Sequence, residues 1–273
     1  IKIMKILIID REDITIQMMT SRLEPVGHKV AQEPVKNNAV ERLEKEEFDV
    51  IYIDPAPLTS ARPLILNLRR AAGNYPYVVQ MGSNIQRTEA IQAGANDCLL
   101  KPVNPETLDV QLDNAKHLTR LIKRIGDDSE DYPSAGGIIA KSAFNQLFLS
   151  AIDRSGRYGE KTFIVFIAVS NYQDIYQNEG PYAAELTAAK LSQYLVRLRR
   201  QSDIIAQTGA SEFALLLQRP LYETEPLEAA NRFAEAVADY DELLNTGEIK
   251  PELSVKLVDI PIGSELISHA IKA

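Results

Sequence analysis

The 273-residue chain has one cysteine, no tryptophan and three histidines. A single thiol, Cys98, excludes an internal disulfide and fits a reducing compartment such as the cytoplasm. His28, His117 and His269 stand far apart, so a structural zinc site is not expected. No apolar run reaches the roughly 18 residues a membrane-spanning helix needs, and no signal peptide is visible. Positive charge is also short. Lys and Arg number 30 against 38 Asp and Glu, a net charge of -8. That balance argues against broad binding to nucleic acid or anionic lipid, yet leaves room for a local basic pocket.

What is present is a globular composition, 45% hydrophobic and 25% charged. At roughly 150 residues per domain, the length predicts two domains. The chain opens on Ile1, with Met4 the first methionine. Either a tag remnant precedes Met4 or the chain continues a longer protein.

In the first half, IMKILII (3–9) is an apolar run that ends on Asp10, and VIYIDP (50–55) repeats the design with Asp54. YVVQM (77–81) and DCLLKP (97–102) add two strands, the second ending at Lys101, and a weaker strand lies near 28–32. A helix is expected over about Ile14–Leu23, stopped by Pro25, and another ends on Gly94. Five strands alternating with helices predict a doubly wound parallel sheet, with Asp10, Asp54 and Lys101 meeting at the strands' carboxyl ends. From Pro105, apolar residues from Leu108 to Ile125 step by three and four, an amphipathic helix long enough to serve as a signalling or dimerising arm. GDDSEDYPSAGG (126–137) then reads as a linker.

This first constellation resembles the receiver domain of two-component response regulators over about residues 4–120. The resemblance implies a flavodoxin-like fold, Asp54 as phosphoacceptor, Asp10 as a ligand of Mg²⁺ and Lys101–Pro102 as the K-P motif. Two positions depart from the pattern: Arg11 stands where a second acid is usual, and Met81–Gly82–Ser83 where a Thr or Ser follows the fourth strand. A guanidinium beside the metal position weakens a site that Mg²⁺ needs for phosphoryl transfer. Glu12 and Ser83 are the candidate substitutes, and Arg11 is a candidate partner of Asp54. The expectation is a receiver kept for dimerisation or docking, with Mg²⁺ only if it is phosphorylated.

The second half predicts a helix over 138–155, a buried strand TFIVFIAV (162–169) and a helix from about Tyr182 to Arg199. DIIAQ (203–207) and EFALLLQ (212–218) form a hairpin, followed by a helix over about Leu227–Leu244 and a strand LSVKLV (253–258). The order is that of an α+β palm with helices on one antiparallel-rich sheet.

DIIAQTGASEFALLL resembles the GGDEF domain of diguanylate cyclases, with Gly209-Ala210-Ser211-Glu212-Phe213 in the signature position. SELISHAIKA resembles that family's closing helix. The resemblance places the first metal aspartate on Ala168, the guanine-reading asparagine on Tyr176 and the metal acid of the hairpin on Ser211. The family's D-x-L-T opening is absent before Gly137, and the closing Lys and Arg are absent because the chain stops at Ala273. Two-metal nucleotidyl transfer needs clamped cations, and Glu212 alone cannot clamp them.

Arg200-Gln-Ser-Asp203 sits in register with the family's R-x-x-D inhibitory site for cyclic di-GMP, and Arg232 falls where a helix contributes a further arginine. Arg199 and Arg197 add positive potential. Arg124-Ile-Gly-Asp127 has the same spacing but lies at the linker, as one copy expected by chance. The alternative is that Arg200 and Asp203 are a solvated turn pair. RLRR (197–200) reads as a solvated helix end and Tyr172, Tyr176 and Tyr182 as packing.

The chain is thus identified as similar to response regulators of the PopA and PleD type. The expected organisation is a receiver (1–125), a linker (126–137) and a degenerate GGDEF domain (138–273). The expected function is cyclic di-GMP reception at Arg200, Asp203, Arg232 and Arg199 without catalysis, in the cytoplasm. Output would pass through a protein adaptor or a homodimer formed by the receiver, with no nucleic acid and no membrane span. The rival readings are a scaffold that binds no nucleotide and an active cyclase.

Overall fold

The computed structural model describes residues 2–240 and 247–272. The chain divides into two compact units, one built chiefly from Ile1–Lys123, the other chiefly from Arg124–Ala151 and Lys161–Ile260.

In the first unit, β1 (Lys5–Ile9), β2 (Lys29–Gln32), β3 (Val50–Ile53), β4 (Tyr77–Gly82) and β5 (Asp97–Leu100) form a parallel sheet in the order β2-β1-β3-β4-β5. Helices α1 (Asp13–Leu23), α2 (Lys36–Lys45), α3 (Arg62–Ala71), α4 (Arg87–Gln92) and α5 (Pro105–Gly126) make the crossovers and the closing element. Such a sheet is buried on both faces, which is why β3 is four consecutive buried residues. Leu7, Ile51 and Val78 pack against Leu43, Ile65 and Leu68 of α2 and α3. Each such side chain contributes about 1.5–3 kcal/mol by leaving water. Gly94, at φ +102°, supplies the left-handed residue that ends the α4 turn and starts β5. This is the flavodoxin-like receiver topology, with its crevice at the carboxyl ends of β1 and β3.

Along α5, Leu108, Leu112, Ala115, Leu118, Leu121 and Ile125 are buried, the stripe that the spacing predicts. Residues 127–134 form neither helix nor strand.

The second unit contains α6 (Lys141–Tyr158), β6 (Thr162–Val169), α7 (Tyr172–Glu179), α8 (Pro181–Leu198), β7 (Ile204–Gln207), β8 (Glu212–Gln218), α9 (Glu225–Ala238), β9 (Glu252–Ile260) and β10 (Glu265–Lys272). The sheet runs β10-β9-β6-β8-β7 and every pair is antiparallel. Its core joins Val165 and Ile167 of β6, Phe213 and Leu215 of β8 and Val255 of β9 to Leu191 of α8 and Phe233 of α9.

Three sequence expectations change. Residues 265–272 form strand β10, not a closing helix. The open edge of β9 offers a ladder from Lys272↔Glu252 to Ile267↔Leu257, with a register shift before Glu265↔Val258. The segment before α8 is itself helical: Gly180, at φ +91°, ends α7, and Pro181 opens α8. Helix α6 starts at Lys141, since Ile139 is still extended and bridges Ala206. The end of the helix expected to reach Leu244 lies outside the described residues. Among the described residues, no helix is long and apolar enough to cross a membrane.

Candidate functional site

At the carboxyl edge of the parallel sheet, Asp10 follows β1, Asp54 follows β3 and Lys101 follows β5, so the topology alone delivers them to one crevice. Lys101 Nζ lies 2.6 Å from Asp10 Oδ2, 2.6 Å from Asp54 Oδ2 and 3.0 Å from Glu12 Oε2. Burial alone would depress the ammonium's pKa. Contacts with Asp10, Asp54 and Glu12 outweigh it and hold the pKa well above the ordinary lysine value. Glu12 is held by the Thr15 hydroxyl at 2.6 Å, and its carboxyl sits below the usual range through Thr15 first and Lys101 second. Asp10 Oδ1 accepts the Glu12 N–H at 3.0 Å, and Asp54 Oδ1 accepts the Ala56 N–H at 2.9 Å. Asp10 Oδ2 is buried and, though close to the ammonium, receives no well-directed hydrogen bond.

The partner expected for Asp54 is corrected: Lys101, not Arg11, pairs with it, and Arg11 is exposed. A parallel strand order puts Lys101 inside the crevice, whereas Arg11 faces solvent just before α1. Ser83 is exposed beyond β4. The Lys101–Pro102 peptide is cis.

In the second unit, Ala168 of β6 stands directly opposite Glu212 of β8 in the ladder. A methyl group therefore occupies the place where a second acid would face the first. Glu212 Oε1 accepts the Thr208 hydroxyl at 2.7 Å and pairs with the Arg124 guanidinium. Arg124 also lies 5.4 Å from the Phe166 ring centre. The arginine dismissed as a chance motif thus neutralises the remaining acid of the hairpin. Ser211 Oγ donates to the Val169 carbonyl at 3.1 Å, which closes the hairpin onto β6. Tyr176 lies on α7 with its ring half exposed, 6.3 Å from that of Tyr172. Among the described residues, no group of three or more His, Cys, Asp or Glu is arranged to hold a metal ion.

The arginine site is assembled from three places. Arg200 and Asp203 flank the turn between α8 and β7, and Arg232 projects from α9. The spacing of three lets Asp203 Oδ2 reach back to the Arg200 N–H at 2.8 Å, while Arg200 O accepts the Asp203 N–H at 3.0 Å. The same carboxylate oxygen lies 3.5 Å from Arg232 Nη2, tying the turn to the helix. All three line one open cavity of about 300 Å³. Arg232 Nε is buried without a protein partner, and the exposed Arg200 guanidinium has no ion pair among the described residues.

Arg199 is corrected: it does not line this cavity. Its guanidinium sits beside Gly137, where Nη2 would lie 3.3 Å from any Cβ, and Nη1 donates to the Asp203 carbonyl at 3.3 Å. Consecutive residues in an extended segment point to opposite sides, which separates it from Arg200. Arg197 packs against the stacked Tyr194 and Tyr240 rings.

The sequence reading missed Tyr222, Glu225 and Glu228, which line the same cavity. Glu225, Glu228 and Arg232 fall at i, i+3 and i+7 of one helix, so they share a face, and that spacing was the available signal. Glu228 accepts the Tyr222 hydroxyl at 2.9 Å on Oε2 and the Thr224 hydroxyl at 2.8 Å on Oε1. Its bond to Glu228 is the largest influence raising the Tyr222 phenol's pKa, and nearby Arg200 acts the other way.

Comparison with known proteins bears on both units. A family model described as "Diguanylate cyclase, GGDEF domain" matches residues 133–267. The two-component response regulator PhoP of Pseudomonas aeruginosa is 30% identical over 112 residues, 40% of this chain and 50% of that protein. The chain thus spans about half the length of this curated relative. Among solved structures, the chemotaxis response regulator CheY4 of Vibrio cholerae is 24% identical, covering 42% of this chain and 99% of that one at a TM-score of 0.38. A GGDEF-only form of PA1120 (TpbB or YfiN) from Pseudomonas aeruginosa is 19% identical, covering 44% and 70% at 0.37.

Proposed function

We propose that this chain, a receiver-type unit followed by a GGDEF-model region, is a receptor for cyclic di-GMP that makes none of it and signals through protein contacts. The observation that carries this reading is the convergence of Arg200, Asp203 and Arg232 on one cavity. Guanidinium forks bind phosphate oxygens bidentately and stack on purine faces, and Arg200 is free to do both. At about 300 Å³ the cavity is small among ligand pockets, enough for one guanylate half of a dinucleotide. The reading that it makes none is supported by Ala168, whose side chain offers no oxygen, and by Glu212, which Arg124 already pairs. A protein adaptor or a receiver-mediated homodimer is the proposed output, in the cytoplasm.

Calorimetry tests the reading. Wild type should bind cyclic di-GMP at micromolar or better, Arg200→Ala should lose at least tenfold, and GTP with Mg²⁺ or Mn²⁺ should yield no product. No heat at saturating dinucleotide in wild type overturns it.

A second reading, phosphorylation of Asp54, is favoured by the arrival of Glu12 beside Asp10 and Asp54. Three carboxylates are the kind of hard oxygen donor that Mg²⁺ takes, and here each of them lies against the Lys101 ammonium. As they stand, Asp10, Glu12 and Asp54 surround the Lys101 ammonium and are not set to hold a metal ion, so Mg²⁺, which would supply charge neutralisation at a transferring phosphoryl group, would have to displace that ammonium. Lys101 keeps the Asp54 carboxylate oriented in this arrangement. Beryllofluoride with Mg²⁺ should then change oligomer size in wild type and not in Asp54→Asn. No change in wild type leaves the receiver as a docking platform.

A further inference from the structure

The cavity beside Arg200 has two chemically opposite walls. Arg200 and Arg232 carry positive charge, while Glu225 and Glu228 bring carboxylates from the first turn of α9. A site for phosphate alone has no use for carboxylates in its wall, since they repel the ligand. We infer that Glu228 reads the donor edge of a guanine and that Tyr222 stacks on its face, so that the cavity selects guanine over adenine. The inference rests on the dinucleotide reading above and deepens it by naming the residues that read the base.

Glu228 is held for such a task. Each of its oxygens accepts one hydroxyl hydrogen bond, from Tyr222 and from Thr224, which fixes the carboxylate plane. A carboxylate has about four acceptor positions, so both oxygens retain capacity. Guanine presents two adjacent donors, N1–H and the exocyclic amine, a match for two carboxylate oxygens. Adenine presents a lone pair at N1, which the same carboxylate repels. Asp203 is less available, because its Oδ2 is engaged by the Arg200 N–H and by Arg232.

The Tyr222 ring is 52% exposed at the cavity wall, and its hydroxyl is anchored on Glu228. A half-exposed ring with a fixed tip is a ready stacking surface for a base. Leu216, Leu217 and Pro226 add apolar lining. The arginines then take the phosphate, and opposing charge sets which way the nucleotide lies.

Calorimetric titration of the full chain with cyclic di-GMP and with cyclic di-AMP decides the matter, with circular dichroism to confirm folding. Wild type should favour the guanine ligand by roughly tenfold or more. Glu228→Gln should lose that preference by weakening the guanine ligand. Tyr222→Ala should weaken both ligands by a similar factor, and Tyr222→Phe should keep stacking while eroding the preference. If Glu228→Gln keeps the wild-type preference while Arg200→Ala still abolishes binding, the base-reading role is wrong and the receptor reading stands. If wild type binds neither ligand, both fall together.

Discussion

Two centres of carboxylate chemistry invite comparison, the Lys101 crevice of the first unit and the Glu212 hairpin of the second. In each, a protein cation touches acid side chains that the resemblances associate with metal. At Lys101 one ammonium meets three carboxylates, a surplus of two negative charges within 3.0 Å. At Glu212 one guanidinium meets one carboxylate, and the pair is neutral. Local charge balance therefore separates them. The first centre keeps an excess of negative charge around its lysine. The second is balanced, because Arg124 pairs with Glu212 and Ala168 stands opposite that acid in the ladder.

The sharpest way to break this comparison is to remove each cation. Lys101→Met strands Asp10, whose side chain is 4% exposed, among like charges. It should destabilise the first unit by about 3–5 kcal/mol in denaturant unfolding, the scale for removing one partner of a buried pair. An effect below about 1 kcal/mol would show that the crevice is wetter than its burial implies.

Acid should sharpen the contrast next. The Glu12 pKa is lowered in the fold by Thr15 and then Lys101, so its contribution is complete above about 4.5 and is lost as pH falls through the lowered value. Glu46, lowered by Lys5 and Arg42, acts in the same direction. The melting midpoint of the first unit should fall between about pH 5 and about pH 3. Glu12→Gln should flatten part of that slope, and an unchanged slope would remove Glu12 from the cluster's energetics.

The smallest effect is expected at Arg124→Ala. Its side chain is 46% exposed and that of Glu212 25%, so the pair should contribute no more than about 1 kcal/mol. A larger loss would make the hairpin pair a structural pillar rather than a surface contact.

Much of this was legible in the sequence. Unbroken apolar runs marked the parallel strands, and an acid or lysine after each of three of them predicted the crevice. The resemblance brought Arg200, Asp203 and Arg232 together, and the three do line one cavity. Partner choice was not legible. Nothing local says that Asp54 takes Lys101 over Arg11, or that Arg124 reaches Glu212 from 88 residues away. The strand β10 escaped because SELISHAIKA was matched to the family's closing helix, whereas the segment pairs with the free edge of β9. Arg199 and Arg200 differ by one position and by opposite facing, a distinction that composition cannot carry.

The whole wall of the arginine cavity comes from residues 200–232, in the turn between α8 and β7, the end of β8, α9 and the join between them. Nothing in that wall waits for β9, which follows later in the chain and supplies the neighbour of β6 on its other side. Short-range closures form ahead of distant ones. As the chain leaves the ribosome, every residue that lines this recess has therefore emerged before β9 does.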